Sequence, residues 1–222
     1  MRLSNRLGAV AAFIEEGAAV ADVGTDHGLL PVYLALNGLA RRIIASDISA
    51  GSLLAARRSA SRYGVGDMVT FIAAPGLAGV RESDVDTVVI AGVGGETIID
   101  ILSGAPWLKP CGVKLILQPQ TKIGELCGWM RDNGYIILDA ALALDKGRFY
   151  VAMLAGAGNT DAALSPETEL LSMLGKKGGP YFADYVNGLI ANTRMAADSM
   201  EIAGAPEYPL MKKRLEELSK LL

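Results

Sequence analysis

The residues best suited to chemistry fall in three places: Asp22-Val23-Gly24-Thr25-Asp26-His27-Gly28, the single acid Asp47, and Gly92-Val93-Gly94-Gly95. The first carries two glycines in a turn that follows a short apolar run. Glycine lets a chain bend sharply and lets a ligand approach the backbone. The start of a following helix adds unpaired N–H groups. The spacing is not Gly-x-Gly-x-x-Gly, which disfavours a pyrophosphate-binding dinucleotide site. Asp47 comes about 20 residues after the turn, where an acid at a strand end accepts hydrogen bonds from ribose hydroxyls. A solvated loop aspartate is the plain alternative. Taken together, turn and acid describe a site for a nucleoside cofactor.

Other chemistries find little support. His27 is the only histidine, and the two cysteines, Cys111 and Cys127, form no Cys-x-x-Cys pair. No metal site is expected. The reaction must draw on a cofactor, carboxylates, amides and backbone. The run Asp86 to Gly95 ends in glycines where open α/β sheets collect ligands. It lacks the Asn-Pro-Pro-Tyr and Asp-Pro-Pro-Tyr motifs of exocyclic base-amine methylases.

Half of the 222 residues are hydrophobic and a fifth are charged, which fits a compact globule. The net charge of −3 gives no whole-chain field for a polyanion, so a nucleic-acid substrate would need a local basic face. No apolar run reaches the roughly 18 residues of a membrane span, and the first residues show no signal-peptide pattern. A cytoplasmic protein without a membrane partner is expected.

The elements that must position these residues alternate. Leu3, Leu7, Val10, Ala11 and Ile14 recur at helical spacing. A strand over 18–23, the glycine turn and a helix over 30–37 follow. A strand over 42–46 then leads into a helix over 52–63. Further strands are predicted over 69–73, 87–91 and 114–117, with a helix over 97–102. Strands over 135–139 and 148–155 read as a terminal pair around a turn at 145–147. Alternation implies a mostly parallel sheet covered on both faces. The antiparallel end distinguishes a methyltransferase-like sheet from the all-parallel dinucleotide fold.

Residues 156–163 read as a linker, after which strand signals stop. Ser165-Pro166-Glu167 is a helix start. Phe182, Tyr185, Val186, Leu189 and Ile190 mark a second helix toward Ile202. Met211, Leu215, Leu218 and Leu222 mark a third, able to pair with it as a coiled hairpin. The expected domains are 1–157, a cofactor-binding domain, and 158–222, a helical one.

Five motifs then occur in order: Leu3-Ser4-Asn5-Arg6-Leu7, DVGTDHG at 22–28, SDIS around Asp47, IAGVGG at 90–95 and LILQPQ at 115–120. In these the chain resembles the bacterial tRNA (adenine(22)-N1)-methyltransferase family, closely over roughly 1–155 and in kind over the helical tail. The resemblance implies a Rossmann-like class I methyltransferase domain with a C-terminal coiled-coil-like domain. It implies S-adenosylmethionine as cofactor, S-adenosylhomocysteine as product, and the D-arm of tRNA as substrate. A monomer or weak dimer is expected. Cofactor contacts are expected from Arg6, Asp22, Gly24, Asp26, His27, Asp47, Ile48, Gly76, Leu77, Gly92, Val93 and Gly94. Pro75 departs from the pattern, since a polar residue is expected before Gly76-Leu77. Adenine recognition there would rest on backbone or apolar contact.

Two residues are candidates for chemistry at the base. Asp26 could stabilise a cationic adenine or take a proton from N6; capping a helix or holding the cofactor's amino group is the other role open to it. Gln118 could reach the target base or tie down the loop before Pro119. Arg6 is assigned to the cofactor carboxylate or to a surface salt bridge. His27 is assigned to the same carboxylate or to local hydrogen bonding. For tRNA the candidates are Lys176, Lys177, Lys212, Lys213 and Arg214, though residues 161–222 carry nine acidic and seven basic side chains. Competing functions are a methyltransferase of a small molecule or protein, a non-catalytic cofactor-binding interaction protein, and an NAD enzyme.

Overall fold

The computed structural model describes residues 1–160 and 164–222. The chain divides into two compact units, Met1–Asp161 and Ala162–Leu222.

In the first unit, β1 (Ala18–Val23) has all six residues buried, as a strand covered on both faces requires. Around it, β2 (Ala40–Asp47), β3 (Thr70–Ala73), β4 (Thr87–Val93), β5 (Lys114–Pro119), β6 (Tyr135–Asp145) and β7 (Arg148–Ala157) form one sheet in the order β3-β2-β1-β4-β5-β7-β6. The pairs among β1 to β5 are parallel. β7 lies antiparallel to both β5 and β6. This is a Rossmann-like sheet with the antiparallel end that the sequence predicts. Strand order reverses between β1 and β4, which opens a crevice beyond their C-terminal ends.

Helices α1 (Asn5–Ala11), α2 (Leu29–Leu36), α3 (Ala50–Arg62), α4 (Gly95–Ser103) and α5 (Ile123–Asp132) flank the strands. Ser4 and Ser49 cap α1 and α3, their hydroxyls accepting from the N–H of Leu7 and Ser52. Val10, Val20, Leu30, Leu34, Ile43, Val89 and Ile116 share one core cluster. The turn between β6 and β7 places Lys146 and Gly147 at positive φ, as a tight hairpin demands.

The largest differences from the sequence expectation are two strand boundaries and one helix. β6 continues beyond residue 139 to Asp145, because β7 pairs with it as far as Asp145↔Arg148. Gly156 and Ala157 belong to β7, paired with Ile136 and Tyr135, and not to a linker. Residues 161–163 of that expected linker lie outside the described residues. Helix α5 had no counterpart in the sequence reading; its buried Leu126, Cys127 and Met130 mark the packed face.

The second unit holds α6 (Pro166–Lys177), α7 (Phe182–Ala203) and α8 (Tyr208–Ser219). Ser165 caps α6 with Pro166 in its first turn. Gly204, left-handed at φ 63°, ends α7. A short link then brings α8 back along α7. Glu217 accepts from the Ser165 and Thr168 hydroxyls at 2.6 and 2.7 Å, joining α8 to α6. These bonds hold its carboxyl below the usual range. Among the described residues no helix is long and apolar enough to cross a membrane.

Candidate active site

The turn after β1 is built from residues at positive φ: Gly24 at 75°, Asp26 at 50° and Gly28 at 67°. The Gly24 and Thr25 N–H groups both donate to the Ser46 carbonyl, at 2.8 and 3.1 Å, which ties the turn to β2. A Cβ at Gly28 would sit 2.8 Å from the Ala56 Cβ, so only glycine lets the start of α2 approach α3. Asp26 is not glycine, and its conformation costs about 1 kcal/mol or more. Its N–H donates to the Asp47 Oδ2 at 3.2 Å. The Asp47 Oδ1 accepts from the Ser49 N–H at 2.8 Å. Two backbone donors thus orient Asp47 while each oxygen keeps a lone pair to offer.

Asp22 sits deeper. The Thr25 hydroxyl donates to its Oδ2 at 2.6 Å. Burial pushes its carboxyl up to about 6, opposed by the Thr25 bond, aided by the charge of Asp47 and opposed again by Arg6. A cation reaching this carboxylate would replace part of the solvation it has lost.

On the other side of the crevice, Arg6 reaches in from α1. Its Nη1 donates to the Gln118 Oε1 at 2.9 Å, and the Gln118 Nε2 donates back to the Arg6 carbonyl at 3.0 Å. The guanidinium lies over the Tyr150 ring, 5.7 Å from its centroid. Gly92, at φ 86°, leaves room: a Cβ there would lie 3.1 Å from the Arg6 Nη1.

These walls enclose a cleft of about 590 Å³, a size suited to a small-molecule ligand. Ten of the twelve residues named for cofactor contact line it: Arg6, Asp22, Gly24, Asp26, His27, Asp47, Ile48, Gly76, Gly92 and Val93. Pro75 and Ile101 add apolar wall beside the exposed Ile48.

A model described as "Methyltransferase domain" matches residues 3–153. The tRNA (adenine(22)-N(1))-methyltransferase of Bacillus subtilis (strain 168) is 32% identical over 227 residues, covering 99% of this chain and 93% of that protein. The crystal structure of the B. subtilis m1A22 tRNA methyltransferase TrmK has a TM-score of 0.86 at 28% identity, covering 99% of this chain and 98% of that one. Sp1610 of Streptococcus pneumoniae, solved in complex with S-adenosyl-L-methionine, has a TM-score of 0.82 at 29% identity, with full coverage of both chains. The chain belongs to the tRNA (adenine(22)-N1)-methyltransferase family.

Four expectations need correction, three at this methyltransferase site and one in the helical unit. Gln118 does not open to the cleft: it is fully buried and both ends of its amide are bonded to Arg6. Gln120, two residues on, lines the cleft instead. Leu77 is buried outside the lining. Gly94 serves packing, since a Cβ there would lie 3.0 Å from the Thr121 hydroxyl. Arg214 is half-buried and forms a two-pronged pair with Glu167, both bonds 2.8 Å, so its guanidinium is not presented to a phosphate. Lys176, Lys177, Lys212 and Lys213 are exposed, with the Lys213 Nζ 3.9 Å from the Glu217 Oε1.

The sequence reading missed Thr97, Asp100 and Ile101, which face the cleft from α4. Their spacing of three and four residues marks one helix face, a signal present in the sequence. It missed Thr25, the partner of Asp22, as well. His27 lies 3.7 Å from the Asp26 carboxylate, both side chains largely exposed. Among the described residues no group of histidine, cysteine or acidic side chains could hold a metal.

Proposed function

We propose that this methyltransferase transfers a methyl group from S-adenosylmethionine to N1 of adenine 22 in the D-arm of tRNA and releases S-adenosylhomocysteine. One observation carries the reading: a single cleft holds a buried acid, an arginine and a strand-end acid, matched to ammonium, carboxylate and ribose. Asp22 supports an ammonium because burial leaves its carboxylate poorly solvated. Arg6 offers its remaining N–H groups to a carboxylate. Asp47, held by two backbone donors, accepts from the ribose hydroxyls. Ile48, Pro75 and Ile101 give an apolar slot in keeping with a purine.

When bound, S-adenosylmethionine supplies an already activated sulfonium methyl group. Adenine N1 is itself a nucleophile, so the residues gain rate by alignment and by excluding water. Asp26 keeps its carboxylate clear of Asp47, which takes only its backbone N–H. We assign it to the positive charge that develops on the methylated adenine, or to the N6 proton. The side chain of Gln120, exposed at the tip of β5, is suited to the Watson–Crick edge of a base. Reaching that edge requires the target nucleotide to leave its stack.

For tRNA backbone contacts we retain Lys176, Lys177, Lys212 and Lys213 and drop Arg214. Few cations on an acidic tail imply a small number of phosphate contacts. The test is transfer from labelled cofactor to unmodified tRNAs, followed by nucleoside analysis. Label in 1-methyladenine at position 22 supports the reading. Failure to label any tRNA rejects it.

A further inference from the structure

A glutamine in a strand that otherwise reads Leu115-Ile116-Leu117 needs a physical reason. Burying an amide is costly unless its hydrogen bonds are made. Gln118 is fully buried, and the two bonds that satisfy it end on one residue, Arg6, 112 positions earlier. The arrangement is reciprocal. The amide oxygen takes an N–H of the guanidinium while the amide nitrogen gives to the Arg6 backbone carbonyl. Both the side chain and the main chain of Arg6 are therefore fixed by one group.

Tyr150 supports the guanidinium on one face and Gly92 gives it space. Of its five N–H groups one is held by Gln118, and Arg6 lines the cleft. Anchoring α1 does not by itself explain Gln118, since the Asn5 side chain already donates to the Leu144 carbonyl at 3.0 Å. We infer that Gln118 is a positioning residue that holds Arg6 against the carboxylate of the cofactor's amino-acid end, and so makes the cleft select for ligands carrying that end. This rests on the cofactor reading above. A pre-oriented fork loses less freedom on binding than a mobile one, so removing the clamp weakens carboxylate recognition and leaves the nucleoside slot intact.

Two ligands separate these contributions. S-Adenosylhomocysteine carries the amino acid; 5′-methylthioadenosine has the same adenosine and thioether without it. Calorimetric titration of the full chain is expected to show Gln118→Met weakening S-adenosylhomocysteine by about tenfold. Binding of 5′-methylthioadenosine should stay within about twofold. In an Arg6→Ala background, Gln118→Met should have no further effect on S-adenosylhomocysteine.

Should Gln118→Met fail to fold, Gln118→Asn keeps a buried amide but is one carbon too short to meet both Arg6 atoms, and should show the same ligand selectivity. Equal losses for both ligands, or no loss for S-adenosylhomocysteine, would overturn the inference. Unaltered protein that binds neither ligand would instead sink the cofactor reading. Unaltered protein that binds both equally would remove Arg6 from carboxylate recognition while leaving the nucleoside site standing.

Discussion

The two rims of the cleft are built differently. The rim at the ends of β1 and β2 is acidic: Asp22 is buried, Asp47 is half-buried and Asp26 is exposed, all within two turns of chain bonded to each other. The rim at the ends of β4 and β5 relies on glycines, the Gln120 amide and an arginine borrowed from α1, with Asp100 of α4 as the carboxylate on that side of the cleft. The first is a fixed local motif. The second depends on a contact between chain segments more than a hundred residues apart. The contrast suits a division of labour, with cofactor sugar and ammonium on the acidic rim, and carboxylate and incoming base on the other.

The sharpest way to break that division is Asp47→Ala. Losing charge-assisted bonds to both ribose hydroxyls should weaken S-adenosylhomocysteine on the order of a hundredfold, with turnover at saturating cofactor little changed. A loss under about fivefold by calorimetry would mean the sugar is held elsewhere.

Asp22 gives a pH test. Its carboxyl is raised from 3.8 to about 6 in the ligand-free fold. Between those values the native chain keeps a proton that the unfolded chain has released, so stability falls as pH rises through the window. The full cost, about 3 kcal/mol, is present above pH 6. A bound ammonium favours the ionised form, so affinity should be flat above about pH 6 and fall below it as Asp22 takes up its proton. Asp22→Asn should raise the melting temperature of the free protein at pH 7.5, weaken S-adenosylhomocysteine at least tenfold and flatten the acid limb. An unchanged acid limb in the variant would assign the titration to another group.

The acidic rim was legible in the sequence because its signals are local. A glycine turn after an apolar run, and an acid at the next strand end, fix Asp22, Asp26 and Asp47 within 26 consecutive residues. The same locality made the Ser165-Pro166 helix start readable. The other rim was not legible, for a geometric reason. Gln118 and Gln120 share strand parity, so alternation cannot tell which one opens to the cleft. That is decided by Arg6 folding over Gln118 from α1. Arg214 fails likewise: its chain neighbours Lys212 and Lys213 suggest a basic patch, while its partner Glu167 lies 47 residues away. Thr97, Asp100 and Ile101 were readable as one face of a helix, but only the strand order shows that this face meets the crevice.

A smaller effect is expected at Gln120. Replacing it with leucine should leave cofactor affinity within about twofold and lower kcat/KM for tRNA about tenfold, the worth of a hydrogen bond or two to a base. A parallel loss of cofactor affinity would merge the two rims into one site.

Asp26 is the position where the division is hardest to keep. It belongs to the acidic rim, and its backbone N–H is committed to Asp47. Its carboxylate is nonetheless 73% exposed, with the His27 Nε2 3.7 Å away. If that carboxylate acts on the base, Asp26→Asn should cost turnover and spare the cofactor. Because adenine N1 needs no activation, the cost should be modest, about five- to tenfold in kcat, with S-adenosylhomocysteine affinity within twofold. Asparagine is suitable because it keeps the size and tolerates the left-handed φ of 50°, so the backbone bond to Asp47 survives. Equal losses in turnover and affinity would return Asp26 to the cofactor, and the acidic rim would then take no part in the chemistry at the base.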